Sequence, residues 1–454
     1  MRKLMFILIA SILVFSFGFI AVFATKTEED ATKPFAGETL TYIGIDWIGT
    51  QVLRDKVGEF EEMTGATVNF DILEWSAFAE KLFLTLNSGS STYDLVNLDY
   101  TWSGSLTAHD HLEPYPLDKW KADPEFDFDD IFPSYTGSLG TSMGEEGNLY
   151  IVPFVTDIIG LYYRTDLFEE YADEFKAEYG YNLKVPIYWD EFLDVAKFFT
   201  MDRDGDGEID LHGTTMMAAP VAIASDYVIY AHGFGFDYFT EDLRPDYLQP
   251  LSIEATQFYI DLYRKWKVVP KSSPNNWFTE VPILLQRDQV ATAVLWAAFM
   301  ESVNDPEQSK VAGKVAFAPL PRRREMDTPG GLLGGHGLSI PKYSEHKEAA
   351  LAFVEWVMSK EYQDENAMRG ATGGRYSSTK KAASKYPWMS PYADAVMTGK
   401  PWTRTIFPDY FTVHHTDMSE ELSKALAGEL TVKEALTNVQ NRVYKIMEEA
   451  GYYD

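Results

Sequence analysis

Acidic and aromatic side chains stand together at several points of this chain, a pairing suited to a neutral, polyhydroxylated ligand. Asp46-Trp47 and Asp99-Tyr-Thr-Trp102 each follow an apolar run, and Asp157 comes shortly after Pro153-Phe154. A carboxylate accepts hydrogen bonds from hydroxyls, and an indole offers a flat face to C–H surfaces. Trp75, Trp277, Tyr227 and Tyr410 are further stacking candidates. Each has an ordinary alternative: an aspartate can cap a helix or a turn, and a tryptophan can fill a core.

A second cluster is Asp202-Arg-Asp204-Gly-Asp206-Gly-Glu208-Ile-Asp210. Oxygen-bearing residues alternate, a glycine stands sixth, and a backbone carbonyl and an aspartate follow, as in an EF-hand loop. The closing bidentate glutamate is missing, because Gly213 stands there. The carboxylates of Asp202, Asp204, Asp206 and Asp210 would repel one another without a cation. The expectation is structural Ca²⁺ held by Asp202, Asp204, Asp206, Glu208 and Asp210; the alternative is a solvated acidic turn.

The elements that must position these groups belong to a chain of 454 residues with 46% hydrophobic and 15% aromatic content. Such a chain buries a large core, in two or three units. It has no cysteine, which excludes disulfide scaffolds, thiol nucleophiles and iron–sulfur clusters. Its 69 acidic residues against 39 basic ones give a net charge of −30. Nucleic acid and anionic lipid, which need a positive face, are therefore not its partners.

Strand and helix patterns alternate from the start. Thr39–Ile45 reads as a buried strand, and Leu53, Val57 and Phe60 as one face of a helix stopped at Gly65. Ala66–Leu73 is a second strand, Phe78–Leu86 a helix, and Asp94–Asp99 a third strand. Later come strands at Ile158–Tyr163, Thr214–Met217, Lys314–Ala318 and Leu338–Ile340. Helices are expected at Trp189–Phe199, from a Ser252 cap towards Pro270, and through Ala350–Val357. Thr431 and Glu434 form a capping box before a helix carrying Leu436, Val439, Val443 and Ile446. The order predicts an α/β protein with mostly parallel sheets.

The first 24 residues read as a signal peptide: Arg2-Lys3, an apolar stretch from Leu4 to Phe23, and small residues at Val22 and Ala24, the −3 and −1 positions of a cleavage site. At 20 residues the stretch also suffices as an uncleaved anchor. Residues 25–36 read as a linker. The body is then expected outside the cytoplasm, in the periplasmic or extracytoplasmic space.

Some strings imitate other chemistry. Gly140-Thr-Ser-Met-Gly144 matches the nucleophile elbow of serine hydrolases, but Glu145-Glu-Gly-Asn148 leads into a strand rather than a helix. Gly330-Gly-Leu-Leu-Gly-Gly335 lacks a dinucleotide-binding helix start. His414-His415 has no spaced metal partners, and Arg322-Arg-Arg324 reads as a solvated loop or a contact between lobes.

Several stretches, taken in order, resemble the extracytoplasmic solute-binding proteins of ABC sugar importers, the maltose-binding-protein-like group. They include Phe60-Glu-Glu-Met-Thr-Gly65, Ser88-Gly-Ser-Ser-Thr-Tyr-Asp94, Gly147-Asn-Leu-Tyr-Ile-Val-Pro153 and Leu161-Tyr-Tyr-Arg-Thr-Asp166. Trp189-Asp-Glu-Phe192, Lys310–Pro321 and Gly334-Gly-His-Gly-Leu-Ser-Ile-Pro-Lys342 complete the set. The resemblance implies two α/β lobes joined by three crossings that close like a hinge on a ligand. Lobe one would hold residues 37–156 and 320–342, and lobe two residues 157–319 and 343–454. It also implies ligand contacts at Asp99, Asp157, Trp296, Arg375 and the residue after Gly334-Gly335. That residue is often tryptophan in the group and is His336 here, able to donate to a hydroxyl but with less surface to stack. Some carbohydrate-binding relatives carry a similar shortened calcium loop.

The function expected is capture of a sugar or short oligosaccharide by a monomer that delivers it to an ABC permease. The competing class is an extracellular glycoside hydrolase or lyase, since paired carboxylates beside aromatics also suit glycosidic cleavage.

Overall fold

The computed structural model describes residues 33–141, 147–220, 222–240, 242–327, 331–398, 413 and 417–453. The signal segment, Tyr410, His414 and His415 lie outside them. Among the described residues no helix is long and apolar enough to cross a membrane.

The described strands are β1 (Thr39–Ile45), β2 (Thr67–Leu73), β3 (Leu95–Asp99), β4 (Val152–Arg164), β5 (Thr292–Trp296), β6 (Val315–Ala318) and β7 (Leu333–Ser339). They follow the order β2-β1-β3-β7-β4-β5, with β6 also on β4. β1 lies parallel to β2 and β3, as the strand–helix alternation predicts. The helices between them, Ile48–Thr64 and Trp75–Asn87, bury Leu53 and Phe60 on one side and Phe78 and Leu82 on the other.

The fold is two-lobed α/β, but its sheets are mixed rather than mostly parallel. β7 runs antiparallel to both β3 and β4, and β4 runs antiparallel to β5 and β6. The reason lies in β4, which is 13 residues long and passes directly from the first group of strands into the second. Residues 152–158 pair with β7, while residues 159–164 pair with β5 and β6. A strand that arrives without a crossover helix is not forced to run parallel to its new neighbours.

One lobe boundary also moves. The helices Lys347–Val357 and Lys360–Met368 were expected in lobe two, yet Phe353, Val354, Val357 and Tyr362 share a core with Leu40, Leu53 and Phe60 of lobe one. Their apolar stripe marks a helix but does not say which sheet it covers. The chain rejoins the second sheet further on, where Tyr392 of the Met389–Thr398 helix meets Phe317 of β6 (ring centroids 6.4 Å). Helices Ile223–Phe234, Pro250–Arg264, Ser419–Ala427 and Val432–Glu449 build the remaining core around Tyr227, Tyr259, Leu422 and Val439.

Local differences have local causes. Thr214–Met217 is not a strand; Thr214 and Ala218 donate to the Val268 and Ser273 carbonyls of a loop instead. Ser252 is not the cap of its helix, because Pro250 takes the first helical position, where its missing N–H costs nothing. The capping box forms as expected: Glu434 N–H donates to Thr431 Oγ1 (3.2 Å), and Thr431 N–H to Glu434 Oε2 (2.8 Å). The Gly140 string follows a π-turn at Tyr135–Leu139 rather than a strand, so the nucleophile-elbow context fails; residues 142–146 lie outside the description.

Candidate functional site

The carboxyl ends of β1, β2 and β3 lie at one edge of the first sheet, because the three strands are parallel and in register. Ligands of α/β proteins bind at such an edge. It carries Asp46 and Trp47 just past β1, Trp75 just past β2, and Asp99 through Trp102 at the end of β3. β7 brings His336 beside Asp99 by antiparallel register.

These side chains meet. Trp75 lies 5.1 Å from Trp102 and 5.5 Å from His336 between ring centroids, and Trp47 lies 5.4 Å from His336. Phe78 and Phe83 support Trp102 from behind at 5.6 and 5.3 Å. Trp102 is 5% exposed and belongs to the wall, whereas Trp75 is 41% exposed and presents a face. An exposed indole braced by buried rings is rigid enough to stack a ligand at low entropic cost.

The polar floor is incompletely bonded. Asp99 Oδ1 accepts from Thr101 N–H (2.7 Å), while Oδ2 stands 3.9 Å from His336 Nε2, beyond hydrogen-bond reach. His336 Nδ1 lies 2.7 Å from Asn97 Oδ1. With the Asn97 oxygen toward Nδ1, Nδ1 carries the proton and Nε2 offers a lone pair; with the amide turned, its Nδ2 donates to Nδ1 and Nε2 carries the proton. Burial pushes the His336 pKa down to about 4, against a smaller upward pull from Asp99, so the ring is neutral near pH 7. Trp47 Nε1 and Asn97 Nδ2 are buried without a partner among the described residues.

Asp157 sits where β4 passes between the two groups of strands, paired with Gly334. Its Oδ1 accepts from the N–H groups of Ile158 (2.9 Å) and Ala298 (3.2 Å). Burial raises its pKa to about 7, partly offset by those backbone donors. Trp296 ends β5 and covers Gly334; a Cβ there would stand 2.5 Å from the indole. Gly335, at φ +98°, holds a backbone conformation that few other residues adopt. The paired glycines thus let Trp296 and β4 close on β7.

Other candidates lie apart. Asp46 is exposed and accepts from Gln51 Nε2 (3.2 Å). Trp277 packs against Phe278 (5.0 Å), with no ring contact to Trp75 or Trp102 among the described residues. Tyr227 is a core residue, accepting from Thr256 Oγ1 (2.6 Å). Arg375 is fully buried: Nε donates to Met358 O (2.6 Å), Nη1 to Asp127 O (2.9 Å), and Nη2 to Phe126 O. Asp130 lies 3.4 Å from Nη1. The ligand contact implied for Arg375 is corrected: the guanidinium fastens a loop to a helix end.

The sequence reading missed Asn97, which shows no motif, and two tyrosines. Tyr135 OH lies within hydrogen-bond distance of Asp157 O (2.9 Å), Gly334 O (2.7 Å) and Asp157 N (3.1 Å). Tyr392 OH shares the Thr156 hydroxyl (2.7 Å) with Gly373 O (2.6 Å). These bonds tie together segments that pass between the sheets.

In the acidic loop, Asp202, Asp204 and Asp210 bring carboxylate oxygens within 4.8 Å of one another. Asp206 and Glu208 are not in that group. Asp202 accepts from Gly205 (2.6 Å) and Gly207 (2.7 Å) N–H groups, which hold its carboxyl below the usual range. Arg203 pairs with Asp210 (3.0 Å), and so supplies part of the positive charge that a cation would bring. A cavity of about 960 Å³ adjoins this loop, lined by Gly207, Glu208 and Ile209 together with Tyr263, Arg264, Val269 and Leu426. Trp47, Trp75, Asp99, Trp102 and His336 do not border it. Arg322 and Arg324 both lie against Tyr188, and Arg324 pairs with Asp190, so the basic run is a folded contact.

Comparison with known proteins agrees with the fold. The family model described as bacterial extracellular solute-binding protein matches residues 47–364. The mannitol-binding protein of Pseudomonas aeruginosa is 26% identical over 437 residues, covering 91% of this chain and 94% of that protein. A probable amino-acid ABC transporter periplasmic-binding protein, y4oP of Sinorhizobium fredii, is 22% identical over 443 residues, 95% and 94% of the two chains. Among solved structures, an ABC transporter solute-binding protein from Agrobacterium radiobacter K84 in complex with ribitol is 25% identical. It superimposes with a TM-score of 0.76 over 91% of this chain and 100% of that one.

Proposed function

This chain belongs to the family of bacterial extracellular solute-binding proteins, and from that premise we propose that it captures a sugar or polyol between its lobes for an ABC permease. The observation that carries the reading is the convergence of Trp75, Trp102 and Trp47 on the polar floor formed by Asp99 and His336. Stacking faces beside incompletely bonded polar groups match a ligand with C–H faces and many hydroxyls. The mannitol and ribitol named for two similar proteins support that class. Lobe closure about β4 would bury the ligand and form the surface a permease reads. The protein acts outside the cytoplasm, as a monomer, and binds without cleaving.

Calorimetric titration against mannitol, ribitol, maltose and an amino-acid panel tests this. Binding of a polyol or sugar with quenching of tryptophan fluorescence is the expected result; binding of amino acids alone rejects it. Release of product from an oligosaccharide panel would favour the hydrolase or lyase reading.

The acidic loop is a structural Ca²⁺ site in the same reading, held by Asp202, Asp204 and Asp210, with Asp206 and Glu208 nearby. The donor set of hard oxygens suits calcium, although Arg203 competes for Asp210. A melting temperature that falls on chelation and returns with Ca²⁺ supports it; no change on chelation rejects it.

A further inference from the structure

The cavity beside the acidic loop has a charge opposite to that of the whole chain. Arg264, Lys267 and Lys271 line it, with Glu208 as the one carboxylate among its lining residues, in a protein of net charge −30. His212 also lines it, but burial pushes the imidazole pKa down, so that ring adds no charge near pH 7. Glu208 stands 3.7 Å from Lys271 with both side chains exposed, so their attraction is weak. Arg264 and Lys267 have no carboxylate partner among the described residues. Arg264 Nη1 donates to Leu426 O (3.0 Å) at the end of the Ser419–Ala427 helix. Gly428, at φ +84°, makes room for this contact, since a Cβ there would stand 2.1 Å from Nη1. The guanidinium is thus fixed in the wall, while Nε and Nη2 make no hydrogen bond to the described residues. Lys267 lines the cavity from a left-handed backbone (φ +55°), which a lysine adopts at some cost. Ser423 Oγ is buried in the same wall without a partner among the described residues. Beneath these groups lie Ala218, Val269 and Leu426, buried members of the core around Tyr227 and Tyr259. Tyr263 stands beside them, half-buried and without a ring contact among the described residues.

We propose that this cavity is a second ligand site, for a small organic anion that carries a phosphate or carboxylate group on a flat apolar body. Its volume of about 960 Å³ lies at the upper end of the range for small-molecule pockets. The oxyanion takes the unused N–H groups of Arg264, whose planar fork suits two oxygens at once. The Lys267 ammonium adds charge, and the Ser423 hydroxyl gains the partner it lacks. The apolar body covers Val269 and Leu426 and lies against the Tyr263 ring. Glu208 opposes an anion here, and Lys271 beside it offsets that repulsion. A neutral polyol leaves the cations unmatched, and an anionic polymer meets the negative charge of the chain beyond the cavity. Trp47 and Trp102 belong to a different core from Val269 and Leu426. The anion site is therefore separate from the aromatic edge, and it stands whether or not that edge binds a sugar.

Calorimetric titration of the full chain in calcium-free buffer tests this, with phenyl phosphate and benzoate as probes. At least one is expected to bind with a Kd below about 1 mM, and the tighter of the two names the oxyanion. Phenol, which lacks the charge, and inorganic phosphate, which lacks the ring, should each bind about tenfold more weakly or not at all. Lys267→Gly removes a cation and suits the left-handed backbone. It should weaken the tighter probe by about fivefold without lowering the melting temperature. Arg264→Lys keeps the charge and a donor for Leu426 O but loses the fork, and should weaken that probe by about tenfold. Failure of both probes to bind overturns the proposal, as does phenol binding as tightly as either. Binding by Lys267→Gly and Arg264→Lys both within about twofold of the parent also overturns it. Displacement of the probe by D-mannitol would put the two ligands in one site and overturn the separate cavity.

Discussion

Two buried polar clusters, around His336 and around Arg375, both stood out as ligand contacts through resemblance, and the structure separates them. Around Arg375 the guanidinium is spent on three backbone carbonyls with Asp130 nearby, and the residue is fully buried. Around His336 the bonding is unfinished: Nε2 stands 3.9 Å from Asp99 Oδ2, and Trp47 Nε1 and Asn97 Nδ2 have no partner among the described residues. A group whose bonds are complete holds the fold. A group left incomplete next to an exposed aromatic face is where the proposed ligand would bond. The acidic loop lies between these cases, with Asp202 bonded to two backbone N–H groups and Asp204 and Asp210 beside it.

The sharpest division should come from Arg375→Met. It strips partners from three carbonyls and from Asp130, and should lower unfolding free energy by about 3–5 kcal/mol. Chemical denaturation measures this, and the folded variant should bind ligand within about twofold of the parent. A large loss of affinity without loss of stability would erase the distinction.

Asp157 tests the electrostatics of the cleft. Its pKa is raised from 3.8 to about 7 by burial, so the folded state holds this proton more tightly than the unfolded one. The parent's stability from this group is therefore full below about pH 4 and lost as pH rises through 7. Asp157→Asn cannot ionise and should gain roughly 2–3 kcal/mol on the parent between pH 5 and pH 8, read by denaturation at both values. A pH-independent difference would mean the carboxyl is not desolvated.

Trp75→Ala removes an exposed face and little core. Affinity should fall by about 2 kcal/mol, near thirtyfold, with a melting temperature close to the parent's. If stability falls instead, the indole belongs with Arg375. The smallest effect is expected from Asp202→Asn: a lower melting temperature with Ca²⁺ present and none with chelator. Equal melting in both conditions would assign the loop to ordinary turn chemistry.

Much of the architecture was legible because it is local. Thr39–Ile45 has the bounds expected, the helix ending at Gly65 stops there, and the Thr431–Glu434 box forms. Asp46, Trp47, Asp99 and Trp102 were legible as strand-end positions, since parallel strands put their carboxyl ends at one edge. The direction of β4 and the lobe that owns the Lys347–Val357 helix were not. Both depend on which distant surface an apolar face meets, and period alone is silent on that.

The sequence by itself determined the family, the α/β class and the company of acids and aromatics, because composition, spacing and motif order are properties of the linear chain. Only the tertiary structure decided what those groups do. Register between β3 and β7 sets His336 beside Asp99, and Asn97 bonds its ring from the other side. Three carbonyls from separate segments tie down Arg375. Hydrogen-bond completeness depends on atoms far apart in sequence, and it sets the closed cluster around Arg375 apart from the open one around His336, where the proposed ligand would sit.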